Sequence, residues 1–190
     1  MALSNFWCCL VQHQNIHTPF NQFLFLLLPL YAKSVSFNFS TFQPDYVNIT
    51  FQGEAYPIPN ALQLTKDTNY GSLNYSAGRA SYHEAVQLWV NSEGRLTLTD
   101  FTTHFSFVIN AINMSKSGDG LSFFIAPFDS KMPEKSAGGF LGLFSVESAI
   151  NASRNQIVAV EFDSFKNPWD PSDDHVGTNV NSIVSKANVP

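Results

Sequence analysis

Short stretches in which apolar and polar residues alternate recur along most of the chain, separated by clusters of turn-forming residues. Such period-two alternation, with phenylalanine-rich inner faces, is typical of half-buried strands, and no long stretch has the periodicity of an amphipathic helix. The pattern predicts strands at Val35–Ser40, Ala61–Thr65, Ala85–Val90, Phe101–Ile109, Leu121–Ala126, Phe140–Phe144, Ile157–Phe165 and Val176–Ile183. Turns are predicted at Asn69–Gly71, Ser92–Gly94, Ser117–Gly120, Gly138–Gly139 and Asn167–Pro168. We therefore predict one all-β sandwich domain.

The composition fits a folded domain that buries much aromatic surface. Aromatic residues make up 14% of the chain and charged residues 13%, whereas an average globular protein has about 25% charged residues. This composition excludes intrinsic disorder, which requires high charge and few aromatic residues. The net charge of −5 and the absence of a basic run argue against a nucleic-acid-binding or membrane-surface protein.

The N-terminal segment differs from the rest of the chain and predicts a secretory leader. Residues 23–32 are apolar but too short to span a bilayer, and the small residues Ala32 and Ser34 follow at cleavage-site spacing. We predict a signal peptide at 1–34 and a mature domain at 35–190; the alternative interpretation of the apolar run is a buried strand. Both cysteines, Cys8 and Cys9, lie in the leader, so no disulfide is expected in the mature domain. No later segment predicts a membrane span.

Five Asn-x-Ser/Thr sequons follow the leader, a modest excess over chance for this composition. Such sequons are acceptors for N-glycosylation in a secreted protein. The predicted glycosylation sites are Asn38, Asn48, Asn74, Asn113 and Asn151. Together with the leader, they favour entry into the secretory pathway.

The predicted strand at 157–165 carries an unusual pair of carboxylates. Alternate residues of a strand share a face, which places Glu161 and Asp163 together and the apolar Val160 and Phe162 on the opposite face. Two carboxylates on one face repel each other and are costly to desolvate. Because a divalent cation removes that cost, the pattern predicts a metal site.

The loop after this strand adds further metal-binding side chains at Asn167, Asp170 and His175. His175 with several carboxylates gives one nitrogen and a set of oxygens, which suits an Mn²⁺-type ion. Asp163, Asp170 and the Asn167 side chain form an all-oxygen set of the kind that Ca²⁺ prefers. The residues therefore favour two adjacent cations that share aspartates.

These motifs resemble the metal-binding segment of the legume lectins, the L-type plant lectin family. The chain has Val-Glu-Phe-Asp-x-Phe-x-Asn, then Trp-Asp-Pro, His-x-Gly and Asn-Ser-Ile in the family order, and the likeness extends from 36 to 185. The resemblance implies a legume-lectin jelly-roll β-sandwich and a non-enzymatic carbohydrate-binding protein. It also implies that full-length relatives form homo-oligomers. Glycans or glycoproteins are the expected partners.

The resemblance assigns residues to two ions, Ca²⁺ and Mn²⁺. The transition-metal ligands it implies are Glu161, Asp163, Asp170 and His175, with Ser185 contacting the metal through water. The calcium ligands it implies are Asp163, the carbonyl of Phe165, Asn167 and Asp170.

The resemblance also implies a sugar site formed by separate loops. Asp119, in the segment Asp-Gly-Leu-Ser-Phe-Phe, would accept hydrogen bonds from two sugar hydroxyls, and the backbone N–H of Gly139 would donate one. Asn167 would donate through its amide, and Phe165 would stack on the sugar ring. In the family a cis peptide bond precedes the aspartate, and Gly118 stands there in this chain. We expect calcium to hold this pocket in shape.

The family domain continues for roughly another third beyond Pro190, so 35–190 matches its N-terminal two-thirds. We expect the matched part to lack several C-terminal strands and a fourth sugar-contact loop.

Other functions remain open or are disfavoured at this point. A glycosidase is disfavoured because Glu161 and Asp163 are assigned to metal, and no second carboxylate is aimed at Asp119. The segments 103–107 and 136–144 also resemble the lectin ectodomain of plant receptor kinases, which would place the protein at the plasma membrane. A lectin-like storage or interaction protein without sugar binding is a further alternative. A soluble lectin would be extracellular or vacuolar.

Overall fold

The structure is a computed structural model that describes residues 35–39, 41–42, 48–67, 73–110 and 118–190. The chain divides into two units, Met1–Ser36 and Phe37–Pro190, and every described strand lies in the second. These strands are β1 (Ile49–Gly53), β2 (Tyr56–Ile58), β3 (Ala61–Gln63), β4 (Gly78–Tyr82), β5 (Trp89–Ser92), β6 (Arg95–Leu98), β7 (Gly120–Ile125), β8 (Val158–Asp163), β9 (His175–Val180) and β10 (Ala187–Val189). Within the described ranges, 3₁₀ helices lie at Gly138–Phe140 and Ala152–Arg154. The described part of the chain is therefore all-β.

The largest sheet has the strand order β10-β9-β8-β7, with every neighbouring pair antiparallel. Gly120 of β7 pairs with Asp163 of β8, and Asp163 pairs in turn with His175 of β9. The remaining strands form three two-stranded sheets, β1-β4, β2-β3 and β5-β6. In this register the start of β7, the end of β8 and the start of β9 lie side by side at the same end of the sheet.

The buried core lies on one face of this sheet. Its fully buried apolar residues are Leu143, Phe144, Ala149, Ala159 and Ile183, and Phe124, Phe140, Leu141, Ile157 and Trp169 pack against them. Most of these residues belong to the connection between β7 and β8 and to the loops that follow β8 and β9. The loops that carry the candidate site are thus anchored by apolar burial.

Four predicted strands are confirmed, with bounds shifted by a few residues. They correspond to β3, β7, β8 and β9. The predicted turn at Ser92–Gly94 is also confirmed: Glu93 and Gly94 have φ of 52° and 80° between β5 and β6. Two successive residues with positive φ are the signature of a two-residue hairpin loop.

The prediction of a strand at Phe140–Phe144 is wrong. The segment leaves the 3₁₀ helix through Leu141, with φ of 55°, and Gly142, with φ of 68°. The N–H groups of Leu143 and Phe144 donate back to the carbonyl of Phe140 at 2.9 and 3.3 Å. This apolar run is therefore a buried turn, because a short apolar stretch does not distinguish a core strand from a core loop.

The predictions of strands at Phe101–Ile109 and Val35–Ser40 are also wrong for the residues described. Neither 101–109 nor 35–39 belongs to a strand. Their aromatic rings make contacts instead: Phe105 stacks on Phe123 of β7 with centroids 5.6 Å apart, and Phe37 stacks on Tyr82 of β4 at 4.2 Å. The alternation marks a face that packs, but a strand also requires a neighbouring backbone to hydrogen-bond.

The remaining pattern predictions have mixed outcomes. The strand predicted at Ala85–Val90 begins only at Trp89. Trp89 pairs with Leu98, the last residue of β6, so β6 provides no strand partner for 85–88. The alternation did not predict β1, β2, β4, β6 or β10. The turn at Asn167–Pro168 is confirmed by the hydrogen bond from Asp170 N to Asn167 O at 3.1 Å. The predicted turn at 69–71 and residue 117 lie outside the described residues.

Replacing Gly120 with alanine is expected to destabilise the large sheet. Gly120 has φ of 135°, and an added Cβ would lie 2.2 Å from the Phe162 carbonyl oxygen of β8. Because a backbone atom cannot move aside as a side chain can, we expect the free energy of unfolding to fall by about 2 kcal/mol. Urea unfolding measures this loss. Gly118→Ala is the matched control, since a Cβ there has no atom within 4 Å; equal midpoints for the two variants would contradict the prediction.

Candidate functional site

The carboxylates of β8 lie on its buried face. Ala159, Glu161 and Asp163 are buried, whereas Val158 is exposed and Val160 and Phe162 are half-buried. Glu161 is 0% exposed and Asp163 is 5% exposed. The predicted sharing of one face by the two carboxylates is confirmed, and both groups are withdrawn from water.

His175 of β9 completes a cluster with these two carboxylates. It pairs directly with Asp163 across the β8–β9 ladder, and its side chain is buried. Its Nε2 lies 3.3 Å from Glu161 Oε1, and one ligand atom from each of the three residues lies within 4.8 Å of the others. One imidazole and two carboxylates thus converge at a spacing that a single metal ion can bridge.

Ser185 and Gly177 shape the space around Glu161. The Ser185 hydroxyl donates to Glu161 Oε1. Gly177 pairs with Glu161 across the ladder, and a Cβ on it would lie 2.3 Å from Glu161 Oε1 and 2.2 Å from Ser185 Oγ. The absence of a side chain at 177 therefore leaves the room that the Glu161 carboxylate occupies.

The electrostatics of the cluster favour a cation. Burial raises the pKa of Asp163 to about 6; the charges of Asp170 and Glu161 add to the rise, while the Phe165 N–H and His175 oppose it. Glu161 Oε2 and His175 Nδ1 are buried without a hydrogen-bond partner among the described residues. A bound cation would stabilise the ionised carboxylates, so the donor set fits a divalent ion.

The loop after β8 folds back on its own carboxylates. Asp163 Oδ1 accepts from the N–H of Phe165 at 2.8 Å, and Asp170 Oδ2 accepts from the N–H of Asn167 at 2.6 Å. Asp170 is not in the cluster of three, although its charge acts on Asp163. The structure therefore places Asp170 beside the cluster, with one carboxylate oxygen occupied by the loop backbone.

Asn167 lies where three loops meet. Its amide nitrogen donates to Asp119 Oδ1 at 3.2 Å and to the Phe165 carbonyl at 3.3 Å. A Cβ on Gly139 would lie 2.5 Å from the Asn167 amide, and one on Gly138 would lie 3.6 Å from Asp119 Oδ2. The structure thus brings Asp119, Gly139 and Asn167 together, three residues that are far apart in sequence.

Phe165 borders the same place, with its side chain 49% exposed. Its N–H donates a hydrogen bond to Asp163, and its carbonyl accepts one from the Asn167 amide. The ring is therefore free to cover a ligand while its backbone is fixed.

The Asp119 loop is held by Ser164, the residue that follows β8. The Ser164 N–H donates to the carbonyl of Asp119 at 3.0 Å, and its hydroxyl donates to the carbonyl of Gly118 at 2.9 Å. No cis peptide bond occurs among the described residues, so the bond between Gly118 and Asp119 is trans. This differs from the expectation that the resemblance carried, and trans is the lower-energy form of a non-proline bond.

Several residues that position the site were not predicted for that role. Trp169 stacks on Phe140 with ring centroids 5.2 Å apart, which packs the loop after β8 against the loop that carries Gly139. Gly177 leaves space for the Glu161 carboxylate, and Ser164 holds the backbone of Asp119 by hydrogen bonds. The signal for Gly177 was available, because antiparallel pairing of β8 with β9 places a residue directly opposite Glu161.

The predicted glycosylation sites can be located on the surface. Asn38, Asn48, Asn74 and Asn151 are exposed, and Asn113 lies outside the described residues. Among the residues that the structure describes, no helix has both the length and the apolar character to cross a membrane. The predicted boundary between leader and mature domain stays a prediction.

Comparisons with known proteins identify the class to which this fold and cluster belong. Residues 34–190 match the legume lectin domain family. The chain is 44% identical to Lectin 7 of Medicago truncatula over 87% of its own length and 62% of that protein. It is 44% identical to the mannose-specific lectin CML-2 of Centrolobium microchaete, over 83% of this chain and 65% of that protein.

A solved structure supports the same assignment. The metal-free form of lectin I-B4 from Griffonia simplicifolia superposes with a TM-score of 0.68 and 40% identity, covering 83% of this chain and 66% of that one. The chain spans less than two thirds of each of these three proteins. This protein belongs to the legume lectin family, whose fold is a β-sandwich.

Proposed function

We propose that the protein is a lectin that binds glycans reversibly and without catalysis, in a pocket organised by Ca²⁺ and Mn²⁺. The observation that carries this proposal is the position of the Asn167 side chain. Its amide contacts Asp119, Gly139 and the Phe165 carbonyl, and its own backbone is bonded to Asp170. One residue therefore joins the candidate sugar-binding groups to the loop beside the carboxylate cluster.

Each candidate sugar-binding residue has a distinct role in this proposal. The Asp119 carboxylate accepts hydrogen bonds from two sugar hydroxyls, and such charge-assisted bonds are stronger than neutral ones. The N–H of Gly139 and the amide of Asn167 donate to sugar oxygens. The half-exposed ring of Phe165 stacks on the apolar face of the sugar. The related lectin CML-2 of Centrolobium microchaete is mannose-specific, which supports a hexose as the first ligand to test.

The chain also offers the groups that would hold the two ions. We assign Glu161, Asp163, Asp170 and His175 to Mn²⁺, with Ser185 contacting it through water. We assign Asp163, the Phe165 carbonyl, Asn167 and Asp170 to Ca²⁺. When bound, the ions would supply positive charge that offsets the buried carboxylates. The fit rests on the converging ligand atoms of Glu161, Asp163 and His175 and on the unpartnered Glu161 Oε2.

The same geometry disfavours hydrolysis. A glycosidase requires two carboxyl groups that flank the bond to be broken. Glu161 and Asp163 are buried beside His175, and Asp119 is bonded to an amide rather than paired with a carboxylate. Among the residues that the structure describes, no such pair of carboxyl groups flanks the candidate sugar-binding groups.

We also propose the cellular context that the sequence indicates. The leader at 1–34 would direct the protein into the secretory pathway, to the extracellular space or the vacuole. Glycans or glycoproteins would be its ligands there, and the protein would form homo-oligomers, as expected of its full-length relatives. Exposed sequons at Asn38, Asn48, Asn74 and Asn151 support passage through that pathway.

Metal removal tests the proposed function. The full chain, produced in a secretory host and saturated with Ca²⁺ and Mn²⁺, is expected to bind mannose, as the related lectin CML-2 does, or galactose, the sugar bound in the structure of lectin UEA-II. EDTA is expected to lower that binding at least about 100-fold. Titration calorimetry with each monosaccharide, followed by a glycan array, measures the binding. Restored affinity after Ca²⁺ and Mn²⁺ are added back is the control for irreversible damage. Unchanged affinity in excess EDTA, or no glycan binding with both ions present, would refute the proposal.

A further inference from the structure

Two side chains on the β1–β4 sheet reach the long connection between β7 and β8. Gln52 of β1 and Arg79 of β4 are direct partners in the antiparallel register, so their side chains leave the sheet on the same face. Both make hydrogen bonds to the segment 130–132. That segment leads into the loop that carries Gly138 and Gly139.

Both polar atoms of the Gln52 side-chain amide make hydrogen bonds. Its nitrogen donates to the carbonyl of Ser130 at 3.1 Å, and its oxygen accepts from the N–H of Met132 at 2.5 Å. An amide that pairs with two backbone groups of one segment fixes both the position and the direction of that segment.

Arg79 holds the same segment from the other strand. It is only 4% exposed, its Nη2 donates to the Ser130 hydroxyl at 3.2 Å, and its guanidinium lies 4.4 Å above the ring centroid of Phe124. Burial lowers the pKa of this guanidinium, but arginine stays charged in proteins. The buried guanidinium therefore connects β4 both to Phe124 of β7 and to the segment 130–132.

The loop beyond this segment closes on itself and returns to Arg79. The Ser136 hydroxyl donates to the carbonyl of Pro133 at 2.6 Å, and the N–H of Gly142 donates to the carbonyl of Ser136 at 2.7 Å. A Cβ on Gly142 would lie 3.6 Å from Arg79 Cγ. Gly138 and Gly139 therefore lie between two parts of the loop that contact the Gln52–Arg79 pair. One is the segment 130–132, which is hydrogen-bonded to both residues, and the other is Gly142, which lies next to Arg79.

We infer that Gln52 and Arg79 are positioning residues that set where the Gly139 N–H lies relative to Asp119 and Asn167, and so tune glycan affinity from outside the pocket. This inference rests on the proposed function, because its readout is sugar binding. The pair does not contact the carboxylate cluster, so it acts on sugar affinity without acting on the metal ligands.

Gln52→Met tests the inference, since it keeps the length of the side chain and removes both hydrogen bonds. At saturating Ca²⁺ and Mn²⁺ we expect monosaccharide affinity to fall about fivefold, with the affinity for both ions unchanged. The Gly142 amide is expected to exchange its hydrogen faster, because the loop that protects it is no longer held at 130–132. Gln52→Glu keeps the acceptor for Met132 but places a carboxylate oxygen against the Ser130 carbonyl in place of the donor, so its affinity should also fall below that of the wild type.

Asn155→Leu is the matched control. The Asn155 amide donates to the backbone carbonyls of Ser148, Asn151 and Asn181 at 2.7, 3.0 and 3.1 Å, so it fastens a different part of the same connection. This variant is expected to lose a comparable amount of unfolding free energy while its sugar affinity stays within about twofold of wild type.

The possible results distinguish failure of the positioning role from failure of the proposed glycan-binding function. If the wild type binds glycans and Gln52→Met binds them equally well, the positioning role is refuted and the proposed function stands. The positioning role is also refuted if Asn155→Leu weakens sugar binding as much as Gln52→Met does, because the effect is then general loss of stability. A wild type that binds no glycan in the presence of both ions would overturn the proposed function and this inference together.

Discussion

Replacing Asp119 with asparagine is expected to weaken glycan binding at least about 100-fold, since hydrogen bonds to a charged group contribute about 1.5–3 kcal/mol each and two are lost or weakened. The substitution keeps the shape of the side chain and an oxygen that can accept from Asn167. The loop itself is held by the backbone bond from Ser164 to the Asp119 carbonyl at 3.0 Å, which does not depend on the side chain. The loss is therefore expected in sugar affinity and not in folding.

Three measurements check this prediction on one protein preparation. Titration calorimetry gives the affinity for the monosaccharide, elemental analysis gives the Ca²⁺ and Mn²⁺ bound per chain, and urea unfolding gives stability. Metal content is expected to stay the same, because Asp119 is not among the three clustered ligands. Asp100→Asn is the control: this aspartate is exposed and follows β6, so glycan affinity should not change. Affinity retained within about threefold in Asp119→Asn would contradict the role of its charge.

The chemistry of β8 was predictable from sequence because it depends on alternation alone. Once 158–163 is a strand, Glu161 and Asp163 must share a face, and the structure adds that this face is the buried one. The contact between Asp119 and Asn167 could not be predicted from spacing. It depends on the register of β7 against β8 and on the return of the 138–140 loop, and only the resemblance to a family indicated it.

The parts of the fold that the pattern missed share a physical cause. Phe140–Phe144 is apolar because it lies in the core, and local positive φ at Leu141 turns it away from a strand. Apolar and polar residues alternate along Phe101–Ile109 because its aromatic rings pack against other rings. The ring centroids of Phe107 and Phe162, for example, are 4.7 Å apart. Hydrophobic pattern reports burial, whereas strand formation also depends on a partner backbone that the pattern does not reveal. The role of Gln52 and Arg79 is not predictable from sequence for the same reason, since it depends on their hydrogen bonds to the distant segment 130–132.

Replacing Gly177 with alanine is expected to lower Mn²⁺ affinity by up to about 100-fold, the upper end of the range seen when groups that orient metal ligands are changed. The new Cβ would lie 2.3 Å from Glu161 Oε1 and 2.2 Å from Ser185 Oγ. These atoms end flexible side chains, so the fold can adapt by moving them. That movement takes the Glu161 carboxylate away from Asp163 and His175.

Backbone strain does not complicate this substitution, because Gly177 is not among the glycines with positive φ. Alanine therefore fits the strand, and the expected damage is confined to the carboxylate. Titration of the metal-free protein with Mn²⁺, followed by electron paramagnetic resonance, measures the affinity, and Gly118→Ala controls for adding a methyl group in open space. Glycan affinity should fall together with Mn²⁺ affinity in Gly177→Ala, since the ion and the loop after β8 share Asp163. Tight Mn²⁺ binding by this variant would show that Glu161, the most buried residue of the cluster, is not a ligand. The assignment of the cluster to a transition metal would then be wrong.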